Sequence, residues 1–118
     1  MRLFIRCVEG EVGLGPGKIR LLELIDIHGS ISRAAREMAM SYRRAWLLVA
    51  GLNRSFRHPV ATAQTGGKGG GHAELTGFGR ELIQRYRAIE RAAAAAVADQ
   101  LAALHADLAE TKQTDEPR

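Results

Sequence analysis

A cluster of aromatic and basic side chains lies near the middle of the chain, directly after a serine. Tyr42, Arg43, Arg44 and Trp46 form the cluster, and Ser41 precedes it. An arginine can form two parallel hydrogen bonds with guanine, and a tyrosine can donate to a phosphate or touch a thymine methyl group. A serine at a helix start is suited to a backbone phosphate, because the free N–H groups there attract anions. The cluster therefore predicts the base-contacting part of a DNA-binding helix.

Trp46 leaves two interpretations open within that cluster. Its ring could pack as core beneath a following β-hairpin, or it could lie in the groove of the nucleic acid. The spacing of the sequence does not decide between the two.

The glycine-rich run between Thr65 and His72 predicts a second contact. A phosphate-binding loop of the Walker type needs Gly-Lys-Ser/Thr followed by a helix, but here a glycine follows Lys68 and the next segment is β-like. A flexible linker would also be rich in glycine. The preferred interpretation is the tip of a wing, which presses against the DNA backbone or enters the minor groove. The residues assigned to this contact are Thr65, Gly66, Gly67, Lys68, Gly69, Gly70 and Gly71.

Positive charge is concentrated around these two features. The whole chain has 17 Lys and Arg against 13 Asp and Glu, a net charge of +4. Between Arg33 and His72 the only acidic residue is Glu37. A polyanion releases condensed counterions when basic side chains neutralise its phosphates, so this segment favours a polyanionic partner. A basic face that is only solvated would have the same composition. The basic residues of this segment are Arg33, Arg36, Arg43, Arg44, Arg54, Arg57 and Lys68.

Patterns for catalysis or metal binding do not stand out in the sequence. The four histidines and Cys7 lie far apart and lack metal-ligand spacing. No Ser, His and Asp set and no pair of carboxylates in an apolar setting is evident. We therefore expect no enzymatic activity and no cofactor in this chain.

The helices that position the cluster follow from apolar periodicity. A first helix is predicted over residues 18–28, a second over about 31–38 and a third over about 41–56. Glycine favours the left-handed conformation that ends a helix, and serine caps a helix start. The expected ending and capping residues are Gly29, Ser30 or Ser32, and Ser41.

The second and third helices fit a helix-turn-helix, predicted over about 31–56. Ala35 is small enough for two helices to cross closely, and Met38 and Met40 are buried groups that flank the turn. Ala39 occupies the turn position that often takes glycine, at a cost of about 1 kcal/mol if φ is positive there. A helical hairpin without a DNA role would show the same pattern. The start of the second helix is also assigned to DNA, through Ser30, Ser32 and Arg33.

Strands and a long helix surround this motif. Residues 2–8 are predicted as a strand, and 59–75 as the wing hairpin. The segment 77–110 is predicted as a dimerisation helix, because its apolar residues repeat at alternating intervals of four and three residues, as packing against a partner helix requires. The interval of four residues from Ala93 to Val97 is an additional one and relaxes this heptad pattern. The residues assigned to the dimer seam are Leu82, Tyr86, Ile89, Ala93, Val97, Leu101, Leu104 and Leu108.

The predicted fold is thus mainly α with a small β wing: a winged helix-turn-helix with a long C-terminal dimerisation helix. Residues 1–76 are expected to form the DNA-binding domain, 77–110 the helix and 111–118 a polar tail. One cysteine excludes an internal disulfide and favours a reducing compartment. The sequence has no signal-peptide pattern and no apolar run of about 20 residues, so we expect a cytoplasmic protein without membrane contact.

Several of these motifs closely resemble the N-terminal DNA-binding domain of ModE-type molybdenum-dependent transcriptional regulators. The resemblance runs from about Lys18 to Ile89, and its Ser-Ile-Ser-x-Ala-Ala and Leu-Thr-x-x-Gly elements also resemble LysR-type winged helices. The matching motifs are Gly29-Ser-Ile-Ser-Arg-Ala-Ala35, Met40-Ser-Tyr-Arg-Arg-Ala-Trp46, Leu52-Asn53, Thr65-Gly-Gly-Lys-Gly-Gly-Gly71, Leu75-Thr76 and Gly79.

The resemblance implies a homodimer, held by the first and last helices, that binds a pseudo-palindromic operator in double-stranded DNA and controls genes for molybdate uptake or molybdoenzymes. Full-length members bind molybdate in a C-terminal pair of small β-barrel domains, and this sequence ends where those would begin. The resemblance therefore does not extend to molybdate sensing, which would come from a separate effector-sensing protein or from a site that the sequence does not reveal. An interaction module or co-regulator that uses the same fold without binding DNA is the alternative. The operator sequence, the direction of regulation and the regulated genes stay open.

Overall fold

The computed structural model describes residues 2–6, 13–64 and 71–109. Helices dominate it, with two small antiparallel sheets and a long C-terminal helix, so the predicted fold class is confirmed. The helices are α1 (Pro16–His28), α2 (Ile31–Glu37), α3 (Tyr42–Ser55) and α4 (Gly77–Ala106). The strands are β1 (Ile5–Arg6), β2 (Gly13–Leu14), β3 (Ala61–Gln64) and β4 (His72–Leu75).

The N-terminal strand begins at Ile5 rather than at the predicted residue 2. Ile5 and Arg6 pair with Leu14 and Gly13 of β2, and the predicted end of the strand at residues 7 and 8 lies outside the described part of the chain. Helix α1 starts at Pro16, two residues before its predicted start. Proline suits the first helical position because its fixed φ is already helical and its missing N–H is not needed there.

Local signals set the boundaries of the helix-turn-helix as predicted. Ser30 caps α2 by accepting a hydrogen bond from the Arg33 N–H at 3.1 Å, so Ser32 is not the cap. Gly29 ends α1 with a φ of 67°, and Ala39 in the turn has a φ of 56°. An alanine in this left-handed region is strained by about 1 kcal/mol, so the turn keeps its shape at that cost.

The core lies where α1, α2 and α3 meet the hairpin of β3 and β4. Ala35 is buried where α2 crosses its neighbours, as the helix-turn-helix pattern predicted. Met38 and Met40, on either side of the turn, are partly buried and pack against the same core. The fully buried larger side chains are Ile19, Leu21, Leu22, Leu24, Ile25, Leu52, Val60 and Tyr86.

Asn53, near the end of α3, fixes the start of the hairpin. Its Oδ1 accepts from the backbone N–H of Val60 at 2.7 Å, and its Nδ2 donates to the carbonyl of Ala61 at 3.1 Å. The second strand is held separately, because the Ala73 N–H donates to the carbonyl of Gly29 at 3.0 Å. Both strands are therefore tied to the helices that flank them.

The start of α4 is locked to the same hairpin. The Thr76 hydroxyl caps α4 by accepting from the Gly79 N–H at 2.9 Å, and it donates to the Pro59 carbonyl at 2.7 Å. The Thr76 N–H also donates to the carbonyl of Val60 at 3.0 Å. The Leu-Thr-x-x-Gly motif thus joins the end of the wing to the long helix.

The first turns of α4 belong to the core. Leu82 and Tyr86 are buried, with exposures of 6% and 1%, so the core extends past the expected boundary at residue 76. The remainder of this 30-residue helix projects from the body, in a molecule that measures 59 × 36 × 26 Å. In the part of the chain that the structure describes, no helix is long and apolar enough to cross a membrane.

Candidate nucleic-acid interface

Helix α3 presents the aromatic and basic cluster at its exposed first turns. Ser41 caps the helix by accepting from the Arg44 N–H at 3.0 Å. Tyr42, Arg43 and Arg44 are exposed directly after this cap, as the sequence predicted. Trp46 is 42% exposed, so a large part of the residue is not covered by the chain's own core.

The centre of the exposed face of α3 is set by helical geometry. Ala45, Val49 and Leu52 are buried and define the inward side. At 100° per residue, the opposite side is centred between Arg43 and Leu47. Leu47, which is 48% exposed and lies one turn after Arg43, is not among the site residues predicted from the sequence. Its angular separation from the buried positions around the helix was the signal that could have identified it.

The wing lies on one flank of this face. Tyr42 of α3 and Ser32 of α2 line a shallow cleft together with Gln64, Gly71 and His72 from the facing ends of β3 and β4. The helix-turn-helix and the base of the wing are therefore contiguous on the surface. The predicted wing-tip contacts at residues 65–70 lie outside the described residues.

The N-terminal hairpin lies on the other flank. A cavity of about 370 Å³ separates it from α3 and is lined by Arg6, Lys18 and Arg44 together with apolar side chains that include Phe4 and Leu48. The Lys18 Nζ donates to the carbonyl of Gly13 at 2.8 Å, which holds that ammonium group at the cavity edge. Basic side chains therefore continue beyond α3 on the side opposite the wing.

Arginines of α1 and α4 form ion pairs with carboxylates, whereas those of α2 and α3 do not within the described residues. Arg87 forms hydrogen bonds to Glu23 at 3.0 Å and to Glu90 at 3.0 Å, and the bond to Glu23 is the first cause of its raised pKa. Arg80 pairs with Asp26 at 3.3 Å. Within the described residues, no carboxylate lies within ion-pair distance of the basic side chains of α2, α3 and the following turn: Arg33, Arg36, Arg43, Arg44, Arg54 and Arg57.

The predicted dimer seam on α4 is divided by the fold. Leu82 and Tyr86 are covered by the chain's own core, and the Tyr86 hydroxyl donates to the carbonyl of Leu3. Burial raises the pKa of that hydroxyl. These two residues are therefore not free to meet a second copy. Ala93 and Val97 are half-buried, whereas the large exposed members of the seam are Ile89, Leu101, Leu104 and Leu108.

A metal centre is not formed by the side chains that the structure describes. Across residues 2–6, 13–64 and 71–109, no three His, Cys, Asp or Glu side chains are grouped closely enough to hold a metal ion.

Comparison with known proteins relates the chain to molybdenum proteins, while no family model matches it. The molybdenum-pterin-binding protein MopB of Rhodobacter capsulatus is 41% identical over 111 residues, which cover 89% of this chain and 41% of MopB. The molybdenum transport protein ModE of Azotobacter vinelandii is 40% identical over 85 residues, 70% of this chain and 32% of that protein. The DNA-binding transcriptional dual regulator ModE of Escherichia coli is 44% identical over 71 residues, 60% of this chain and 27% of that protein.

These relatives are longer than the chain, which spans about two fifths of MopB and about a third or less of each of the two ModE proteins. Their names refer to regulation, transport and molybdenum-pterin binding rather than to catalysis, in agreement with the prediction that the chain is not an enzyme. Over the segment that it shares with them, the chain is a homologue of the ModE-type molybdenum regulators, and the resemblance predicted from its motifs is confirmed.

Proposed function

We propose that the chain is a sequence-specific DNA-binding transcriptional regulator of genes for molybdate transport or molybdoenzymes. The observation that carries the proposal is the exposed first turns of α3, where Arg43 and Arg44 follow the Ser41 cap without a carboxylate partner among the described residues. A helix of this kind fits the major groove through its N-terminal residues. The name of the Escherichia coli relative, a DNA-binding regulator, supports the same function.

In this proposal, base contacts come from the centre of the exposed face and phosphate contacts from its edges. Arg43 pairs with guanine, whereas Ser41 and Arg44 bind the backbone. The exposure of Trp46 favours a place in the groove over one in the core. Residues at the start of α2 and in the wing bind the flanking phosphates, namely Ser30, Ser32, Arg33 and the run from Thr65 to Gly71.

The domain organisation follows from the same assignment. The winged helix-turn-helix of residues 1–76, with the buried first turns of α4, binds DNA, and the projecting part of α4 joins two copies. Leu101 and Leu104 are 48% and 62% exposed, and a second helix of the same kind would cover them. A two-fold dimer contacts two half-sites about 34 Å apart, so the operator is expected to be a pseudo-palindrome.

Effector sensing is assigned to a partner rather than to the described residues. The MopB relative is named for binding a molybdenum-pterin, but the chain spans 41% of that protein. The 41% of MopB that the chain spans does not identify the part of MopB that binds the molybdenum-pterin. In this proposal, control by molybdate reaches the DNA-binding segment through a separate effector-sensing protein that contacts it.

A binding titration on defined duplexes tests the proposal. Fluorescence anisotropy is measured on promoter DNA from molybdate-transport operons and on a shuffled duplex of the same composition, over a series of salt concentrations. We expect tighter binding to promoter DNA and a steep loss of affinity with salt, because phosphate contacts release counterions. Equal affinity for both duplexes, or no complex at low salt, would reject sequence-specific regulation.

An interaction module is the second candidate, and the apolar stripe on α4 favours it. Leu101, Leu104 and Leu108 are exposed beside the acidic Asp99 and Asp107, which suits a docking surface for a sensor protein. A chain that is dimeric yet indifferent to DNA at low salt would support this candidate over the first.

A further inference from the structure

We propose that Leu47 contacts the C5-methyl group of a thymine in the major groove and so determines part of the operator sequence. The inference rests on the proposed DNA binding and adds the base that the centre of α3 recognises. Leu47 is the large apolar residue nearest the middle of the exposed face, and it is 48% exposed.

The position of Leu47 on the helix follows from its neighbours. It lies four residues after Arg43 and seven before Arg54, so the three side chains share one line along the solvent side. The buried side of the helix, at Ala45 and Val49, faces the core. A molecule that binds to the exposed side of α3 at Arg43 therefore also contacts Leu47.

The charge around Leu47 indicates what covers it. Arg43 and Arg44 line a surface depression together with Leu47, and Arg54 lies two turns further along the same side of α3. No carboxylate among the described residues pairs with these three arginines. A second copy seated on this face would bring the same arginines against these, which like-charge repulsion disfavours. A polyanion is attracted instead. In the major groove, the apolar group that DNA offers to a side chain is the thymine methyl.

The spacing along α3 also predicts the distance between the two contacted bases. A rise of 1.5 Å per residue places Leu47 about 6 Å beyond Arg43 along the helix axis. Successive base pairs are about 3.4 Å apart, so the thymine lies one or two base pairs from the guanine that Arg43 contacts. The half-site is therefore expected to contain a guanine and a thymine in this arrangement.

The test removes the methyl group from DNA without changing the hydrogen-bonding edge of the base. Duplexes that bind the 118-residue chain are selected from a random library, and each thymine of the best duplex is replaced in turn by deoxyuridine. Affinity is measured for the natural chain and for Leu47→Ala. Burial of one methyl group predicts a loss of about fourfold for the natural chain at one thymine of each half-site. Leu47→Ala is expected to show no loss at that same thymine.

Leu101→Ala is the matched control, because Leu101 is also 48% exposed but lies on the projecting part of α4. This variant is expected to keep the fourfold difference between thymine and deoxyuridine, even if its overall affinity changes. Circular dichroism and thermal unfolding of Leu47→Ala should match those of the natural chain, since the residue lies outside the core.

Three results would overturn the inference. Deoxyuridine could weaken neither chain at any position, or it could weaken both chains equally. A change in the sedimentation of the DNA-free protein on Leu47→Ala would assign the residue to an interface between copies instead. Failure to select any duplex is a separate result, because it rejects the proposed DNA binding itself.

Discussion

Gly79 and Val60 are in closer contact than any other residue type at position 79 would allow. A Cβ atom built on Gly79 would lie 2.1 Å from the carbonyl oxygen of Val60, which is backbone and cannot rotate away. The same carbonyl accepts a hydrogen bond from Thr76 at the start of α4. The glycine therefore permits the long helix to be attached to the wing at this point.

Gly79→Ala is predicted to destabilise the fold by about 1–3 kcal/mol, since the added methyl group must push backbone apart. Urea unfolding would measure the loss of free energy. Gly77→Ala is the control two residues earlier, where no atom lies within 4 Å of an added Cβ, and it should be neutral or slightly stabilising. Equal effects of the two substitutions would show that the close approach to Val60 is not responsible.

Arg43→Ala is predicted to weaken DNA binding by about 1–3 kcal/mol and to relax sequence preference, because a bidentate contact with a base is lost. Lys68→Ala should weaken binding to all sequences alike. It should also reduce the slope of log affinity against log salt concentration by about 1, as expected for the loss of one phosphate contact. Anisotropy titrations on selected and shuffled duplexes separate these outcomes. Arg91→Ala removes the same charge from exposed α4 and should leave sequence preference unchanged. A similar loss of preference in all three variants would contradict the assignment of Arg43.

The double change of Leu101→Gln and Leu104→Gln is predicted to weaken self-association at least about tenfold, because two apolar side chains would be replaced in the seam. Sedimentation equilibrium measures the dissociation constant directly. Ala102→Gln, on the other side of the same stretch of α4, is the control and should leave it unchanged. An unchanged dissociation constant in the double variant would place the dimer interface elsewhere.

Tyr86 predicts a loss of stability in alkaline solution. Its pKa in the folded chain is raised above the ordinary tyrosine value of 10.0, first because the hydroxyl is buried. The folded state therefore holds this proton more tightly than the unfolded state, so the contribution is present below about pH 10 and is lost as the pH rises through the folded value. In urea unfolding between pH 8 and 11, Tyr86→Phe should show a shallower decline. Tyr86→Phe should also lower the free energy of unfolding by about 1 kcal/mol at neutral pH, because the hydrogen bond to the Leu3 carbonyl is lost. If the free energy of unfolding falls equally steeply with pH in both proteins, Tyr86 is not the cause of the alkaline loss of stability.

Local features of the fold could be predicted because neighbouring residues produce them. A serine hydroxyl reaches the N–H three residues ahead, so Ser30 and Ser41 cap their helices whatever surrounds them. The positive φ at Ala39 follows from the tight turn between two helices of fixed spacing. The apolar periodicity predicted α1, α2 and α3, since an amphipathic helix buries one face.

The tertiary structure alone decided which partner covers each part of the long helix. Leu82, Tyr86, Leu101 and Leu104 share one apolar stripe, and periodicity cannot distinguish them. The position of α1 and the N-terminal segment covers the first two and leaves the last two exposed. Distant contacts of this kind, such as that between Tyr86 and the carbonyl of Leu3, depend on where the whole chain places each surface. The sequence by itself determined the helices, their caps and the basic character of α3, because these depend on residues a few positions apart.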